Sequence, residues 1–223
     1  MTSILALDSS GAACSVAFWA EGALRAHRYE AMPRGQSERL VPMVIEVMAE
    51  AGRRLDEVAL FAATIGPGAF TGLRIGLATL RGLALAADRP MLGVTSFEAV
   101  ASAIPEESGR TLLVLLESKR AELYAQSFAP GPLAASEPLA ISPGDLAARF
   151  AGGKLLLAGD AVGRALPALA QADCDLRIAS ERGADAAAVA ALAARRAGEA
   201  GKAPPAPLYL RPPDVTLAQA TAG

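Results

Sequence analysis

IGPGAFTGLRIG, residues 65–76, joins a buried strand to a helix, and the rest of the chain arranges itself around that junction. Residues 58–65 are almost continuously apolar, the pattern of a strand buried on both faces. Gly66 and Gly68 permit backbone angles that side chains forbid, and Pro67 stiffens the turn between them. A helix over residues 71–87 follows, with Thr71, Gly72 and Arg74 in its first turn. Free N–H groups at a helix start suit an anion. The residues therefore allow two readings: a phosphate or carboxylate site, or a tight strand-to-helix turn. The segment is not a Walker A loop, because Gly-Lys-Ser/Thr is missing. Gly72 and Gly76 stand one turn apart, and each glycine inside a helix costs about 0.5–1 kcal/mol relative to alanine. That cost calls for a closely packed neighbour, within the fold or on another subunit.

Outward from this junction the chain alternates. Residues 4–7, 13–20 and 24–29 read as a three-stranded antiparallel meander with a tight turn at Glu21-Gly22. From Ser37, read as a helix cap, apolar residues fall at Leu40, Val44, Val47, Met48 and Ala51, which is helical spacing, and Gly52 stops the run. Residues 91–94 read as a strand and 96–103 as a short helix. After a polar boundary at 105–109, residues 111–116 and 123–128 read as a strand pair. Residues 130–143 read as a surface run, 145–150 as a helix, 154–158 as a strand, and 162–170 and 184–198 as helices. The proline-rich tail, 204–223, reads as extended. The second half thus echoes the first, which predicts an α/β protein with a division at residues 1–105 and 106–223.

Composition narrows the function. The net charge is −2 and no basic run stands out in the linear sequence, which argues against tight direct nucleic-acid binding. Cys14 and Cys174 are expected as two reduced thiols, since two cysteines make neither a disulfide framework nor a four-ligand metal site. The start, MTSILALDSS, lacks the charged and long apolar regions of a signal peptide, and no uncharged stretch reaches the ~20 residues of a membrane span. A cytoplasmic protein with no membrane association is expected.

IGPGAFTGLRIG closely resembles the hallmark of the TsaB family, with Ala69 in place of the usual serine. ILALDSSGAACSVAF is similar to that family's opening hairpin and QSERLVPMV to its first helix, where Gln36 replaces a histidine common in relatives. LGVTSFEAVA, AGDAVG and PLYLRPPDVT resemble further family segments in the same order. The resemblance implies an actin-like ATPase (ASKHA, ribonuclease H-like) fold: two similar lobes with mixed sheets flanked by helices. It implies a non-catalytic scaffold subunit of a TsaB–TsaD–TsaE complex. That complex installs N6-threonylcarbamoyladenosine next to the anticodon of tRNAs reading codons that begin with A. TsaD and TsaE are the implied partners, with a homodimer when the chain is alone and tRNA reached through the complex. No cofactor of its own is implied, and ATP is expected only at the complex interface with TsaE.

Within that resemblance the site residues divide into three groups. Gly66, Pro67, Gly68, Phe70 and Thr71 form the signature loop. Leu40, Val44, Val47, Gly72, Arg74, Gly76, Leu77 and Leu80 are expected to face a partner; the alternative is that such apolar positions only cover the sheet. Asp8 and Asp160 match acidic positions that active relatives use near nucleotide and metal, and are expected here as remnants. Glu117, at a strand end, either contacts a ligand in the interlobe cleft or pairs with Lys119 or Arg120. No catalytic residue and no metal ligand is expected. His27 is the single histidine and cannot supply the histidine pair that binds metal in TsaD-type enzymes. An enzyme of the same superfamily, metallopeptidase-like or small-molecule kinase-like, is the rival reading. It is disfavoured by the single histidine and by the missing phosphate loop.

Overall fold

The computed structural model describes residues 3–129 and 133–211. The first half runs β1 (Ile4–Asp8), β2 (Ala13–Ala20), β3 (Ala23–Ala31), α1 (Gln36–Glu50), β4 (Leu60–Gly66), α2 (Phe70–Ala87), β5 (Met91–Thr95) and α3 (Ser96–Ser102). The second runs β6 (Thr111–Leu116), β7 (Leu123–Ala129), β8 (Leu133–Ala134), β9 (Leu139–Ile141) and α4 (Pro143–Phe150). It continues with β10 (Lys154–Ala158), α5 (Val162–Gln171), β11 (Asp175–Ser180) and α6 (Ala186–Arg195).

Two mixed sheets share one topology. The first has the order β3-β2-β1-β4-β5, with the meander antiparallel and β4 and β5 parallel to β1. The second has the order β8-β7-β6-β10-β11, with β9 also paired to β7. Its pairings follow the same rule: β6, β7 and β8 are antiparallel, and β10 and β11 run parallel to β6. The turn between β2 and β3 is made by Glu21 and Gly22, both at positive φ, as a two-residue hairpin requires.

Alternation along the strands sorts the core into layers. In β1, Ile4 and Ala6 face the space between the lobes, while Leu5 and Leu7 face α1 and α2. In β6, Val114 and Leu116 face inward and Leu113 and Leu115 face α4 and α5. Residues one apart point to opposite faces of a strand, so strands buried on both sides must be apolar throughout. The central cluster joins both sheets through Phe97 and Val100 of α3 and Val189 and Ala190 of α6.

The structure amends several details of the sequence reading. The cap of α1 is Gly35, at φ 99, rather than Ser37. The surface run 130–143 contains two short strands, β8 and β9. Strand β11 adds an element that the sequence pattern does not announce, because its residues are mostly exposed and only Leu176 and Ile178 mark it. The division after residue 105 separates the two sheets but not the helices: α6 packs on the first sheet, against β1, β2 and β4. Its apolar face fits the inner side of that sheet, so chain order misassigns it. Of the tail, residues 212–223 lie outside the described residues.

Candidate functional site

The signature segment is a docking device for the turn that follows β1. Gly66 has φ +110, which favours glycine, and a Cβ there would lie 2.7 Å from the Leu208 carbonyl oxygen. The Gly66–Pro67 peptide bond is cis. A methyl group on Gly68 would overlap the Ser10 carbonyl oxygen, and one on Gly72 the Ser9 carbonyl oxygen. A methyl on Gly76 would lie 2.8 Å from Ser9 Oγ. Hydrogen bonds complete the seat: Ala69 N–H donates to the Ser10 carbonyl (2.7 Å) and Ser9 Oγ donates to the Gly72 carbonyl (2.9 Å). The glycines therefore serve close packing inside the chain. The sequence leaves the neighbour open; it is the 8–10 turn, not a second subunit.

Asp8 holds that turn from below. Its Oδ1 accepts from Thr64 Oγ1 (2.6 Å), Ser10 Oγ (2.7 Å) and Ser10 N–H (3.2 Å). Burial raises its pKa to about 6 despite these donors. Asp160, in the second lobe, accepts from Glu117 N–H at 2.9 Å, and burial raises its pKa as well. Glu117 itself bonds Arg164 Nη1 (2.5 Å) and the Lys119 N–H (2.6 Å). Arg164 of α5 is thus an ion-pair partner of Glu117, reaching it from outside the β6–β7 turn. Arg164 Nη2 also donates to the carbonyls of Arg120 and Ala121, fixing the β6–β7 turn.

Between Asp160, Glu117 and Ser10 the interlobe space shrinks to a cavity of about 20 Å³. That holds roughly one water, whereas small-molecule sites span about 300–1,000 Å³.

His27 is half-buried on β3, with Nε2 2.7 Å from Asp185 Oδ1, and Asp185 also accepts from the Ala187 N–H at the start of α6. The histidine anchors α6 to the edge of the first sheet. Cys14 is buried and free, with its thiol pushed up to about 12 by burial; Cys174 is free and half-buried.

The candidate partner residues separate by burial. Leu40, Val44, Val47 and Leu80 are at most 1% exposed and cover the first sheet, and Gly72 and Gly76 are buried against Ser9. The expectation that these six face a partner is corrected: the apolar stripe of each helix satisfies its own sheet. Arg74 is exposed and Leu77 half-buried. The outward apolar residues are Val41 (46% exposed) and Ile45 (63%) of α1 and Leu85 (81%) of α2. Helix α2 has the length and apolarity of a membrane span. It packs one face on the first sheet through Leu73, Leu80 and Ala84, with Arg74 and Arg81 outward.

At the start of α2, Phe70 and Thr71 are exposed. The Phe70 ring lies between the Arg74 guanidinium (3.6 Å) and Tyr209 (centroids 5.5 Å apart), in space no reading of the sequence brings together. The segment containing Tyr209 stands out in the sequence only through family resemblance.

Comparison with known proteins fixes the ancestry. YeaZ from Pseudomonas aeruginosa superposes with a TM-score of 0.80 at 30% identity, covering 94% of this chain and 100% of that one. This chain belongs to the TsaB (YeaZ) family. The Escherichia coli "tRNA threonylcarbamoyladenosine biosynthesis protein TsaB" is 38% identical over 122 residues, 54% of this chain and 52% of that protein. The chain spans about half the length of the curated TsaB relatives it matches. The family model described as TsaD, tRNA N6-adenosine threonylcarbamoyltransferase, matches residues 30–134. Component A of (R)-2-hydroxyglutaryl-CoA dehydratase from Acidaminococcus fermentans shares the fold at a TM-score of 0.54 and 12% identity. The fold is the actin-like ATPase fold, with two similar lobes of mixed sheet flanked by helices.

Proposed function

We propose that this chain is a non-catalytic subunit of the assembly that makes N6-threonylcarbamoyladenosine in tRNA. In this reading it acts as a scaffold for a TsaD-type transferase, with a TsaE-type ATPase joining them. The observation that carries it is the 20 Å³ interlobe cavity. The contacts that hold Asp160 and seat the signature loop on Ser10 narrow the space between the lobes, which supports this reading. Any ATP used by the assembly belongs to another subunit or to the junction with TsaE.

Such a role needs a surface that a partner can cover. Val41 and Ile45 lie one turn apart on the outward side of α1, which packs beside α2 with its exposed Leu85. This face suits TsaD, or a second copy of the chain when TsaD is absent.

Reconstitution tests the reading. TsaD, TsaE, the adenylate-forming enzyme, tRNA, ATP, threonine and bicarbonate are combined with and without this chain. Modification should require the chain, and the chain alone should show no turnover. Full modification without it, or intrinsic turnover by it, overturns the proposal.

A further inference from the structure

Beside the signature loop, adjoining the small interlobe cavity along Pro67, Gly68, Ala69 and Lys119, lies a cleft of about 620 Å³. Three separate segments build it: the start of α2, the β6–β7 turn and residues 208–211. Arg74, Lys119, Arg120 and Arg211 line it, and among the described residues no carboxylate does. A chain of net charge −2 thus concentrates four cations at one place. Arg211 also pairs with Glu122 at 3.1 Å.

The aromatic residues give the cleft its second property. Phe70 and Tyr209 are 45% and 42% exposed, unusual for rings in a chain with only 4% aromatics. They form a tilted pair, with the Arg74 guanidinium 3.6 Å from the Phe70 centroid. Arg74 caps the Phe70 ring, which in turn supports Tyr209, and an exposed aromatic ring flanked by spread cations is the arrangement that stacks bases and tracks phosphates of a single strand. A free di- or triphosphate is usually gripped by the amides of a glycine loop at a helix start. Here Gly68 and Gly72 pack against Ser10 and Ser9, and the Ala69 N–H is already taken by the Ser10 carbonyl.

We propose that this cleft binds a single-stranded segment of RNA, with a base on Tyr209 and phosphates on Arg74, Lys119 and Arg211. The inference rests on the reading that the chain serves a tRNA-modifying assembly, and extends it by giving the scaffold a direct RNA contact. The linear sequence argues against such contact because its cations are scattered; folding brings them together.

The test uses the full chain and fluorescence anisotropy with a labelled, short oligoadenylate RNA across a salt series. Wild type should bind, more tightly at low salt. Lys119→Ala should weaken binding and flatten the slope of log K against log salt by about 0.7. Tyr209→Ala should weaken binding roughly five-fold or more and leave that slope unchanged. Both side chains line the cleft and are not needed for the core, and circular dichroism confirms that the variants fold. Absence of wild-type binding overturns the proposal, as does binding that neither substitution changes. Equal competition by ADP gives the cleft to a free nucleotide and also overturns it. Reconstituted modification that still requires the chain, without oligonucleotide binding, sinks this inference alone and leaves the scaffold reading standing.

Discussion

Replacing Asp8 by asparagine should make the protein more stable at neutral pH. Asp8 is fully buried and its pKa rises from 3.8 to about 6 on folding. The sign follows from proton uptake: the folded state holds the proton more firmly than the unfolded state. Below pH 3.8 the group is neutral in both states and costs nothing. The cost grows as pH rises through the interval and is complete above about pH 6. At about 1.4 kcal/mol per pH unit, the charged carboxylate costs the folded protein about 3 kcal/mol at pH 8 and about half of that at pH 5. An asparagine side chain at this position keeps an oxygen for the donors from Thr64 and Ser10, which all meet one carboxylate oxygen. Its new amide N–H group loses about 1–3 kcal/mol if it finds no partner. Asp8→Asn should therefore gain up to about 2 kcal/mol at pH 8, and the difference should fall by about 1.4 kcal/mol at pH 5. Urea unfolding of both proteins at the two pH values measures this directly. A variant less stable than wild type at pH 8, or a difference that does not change with pH, refutes the burial argument.

Two further predictions concern α2 and the outward face. Gly72→Ala should destabilise by about 1–3 kcal/mol or more, because its methyl meets the Ser9 backbone. Gly82→Ala, on the same helix with nothing within 4 Å, should stabilise by about 0.5–1 kcal/mol. Denaturant midpoints of the pair separate close packing from helix propensity, and similar shifts in both would contradict the docking of α2 on the 8–10 turn. Ile45→Glu, at a position 63% exposed, should leave the stability of the isolated chain within about 0.5 kcal/mol of wild type. Co-purification with TsaD should nevertheless fall sharply, and undiminished binding would remove α1 from the proposed interface.

Much of this architecture is legible in the residues. The apolar runs of β1 and β6 and the change to helical spacing in α1 follow from where apolar side chains fall. The likeness of the two halves follows from the order of those patterns. An apolar stripe does not say what it faces, however. Leu40 and Val47 suit a partner and the sheet equally well in sequence, and the sheet takes them. The glycines at 66–76 announce close packing, but Ser9 stands 63 residues from Gly72, and only folding names that neighbour. The basic cleft is less legible still, since Arg74, Lys119 and Arg211 come from three distant segments. Strand β11 lies at a sheet edge with little to bury, so hydrophobic pattern carries almost no trace of it.

Helix α6 gives the chain a particular order of completion. It covers the inner side of a sheet whose last strand ends at Thr95, yet its own residues begin at Ala186. During synthesis the inner face of the first sheet, covered in part by α3, therefore waits for most of the second lobe before α6 completes its cover. Asp185 bonded to His27 and the Ala186 N–H bonded to Ser15 anchor that helix to the first lobe. An N-terminal half produced alone would present that partly covered face to solvent, and would be a target for chaperones rather than a smaller copy of the protein.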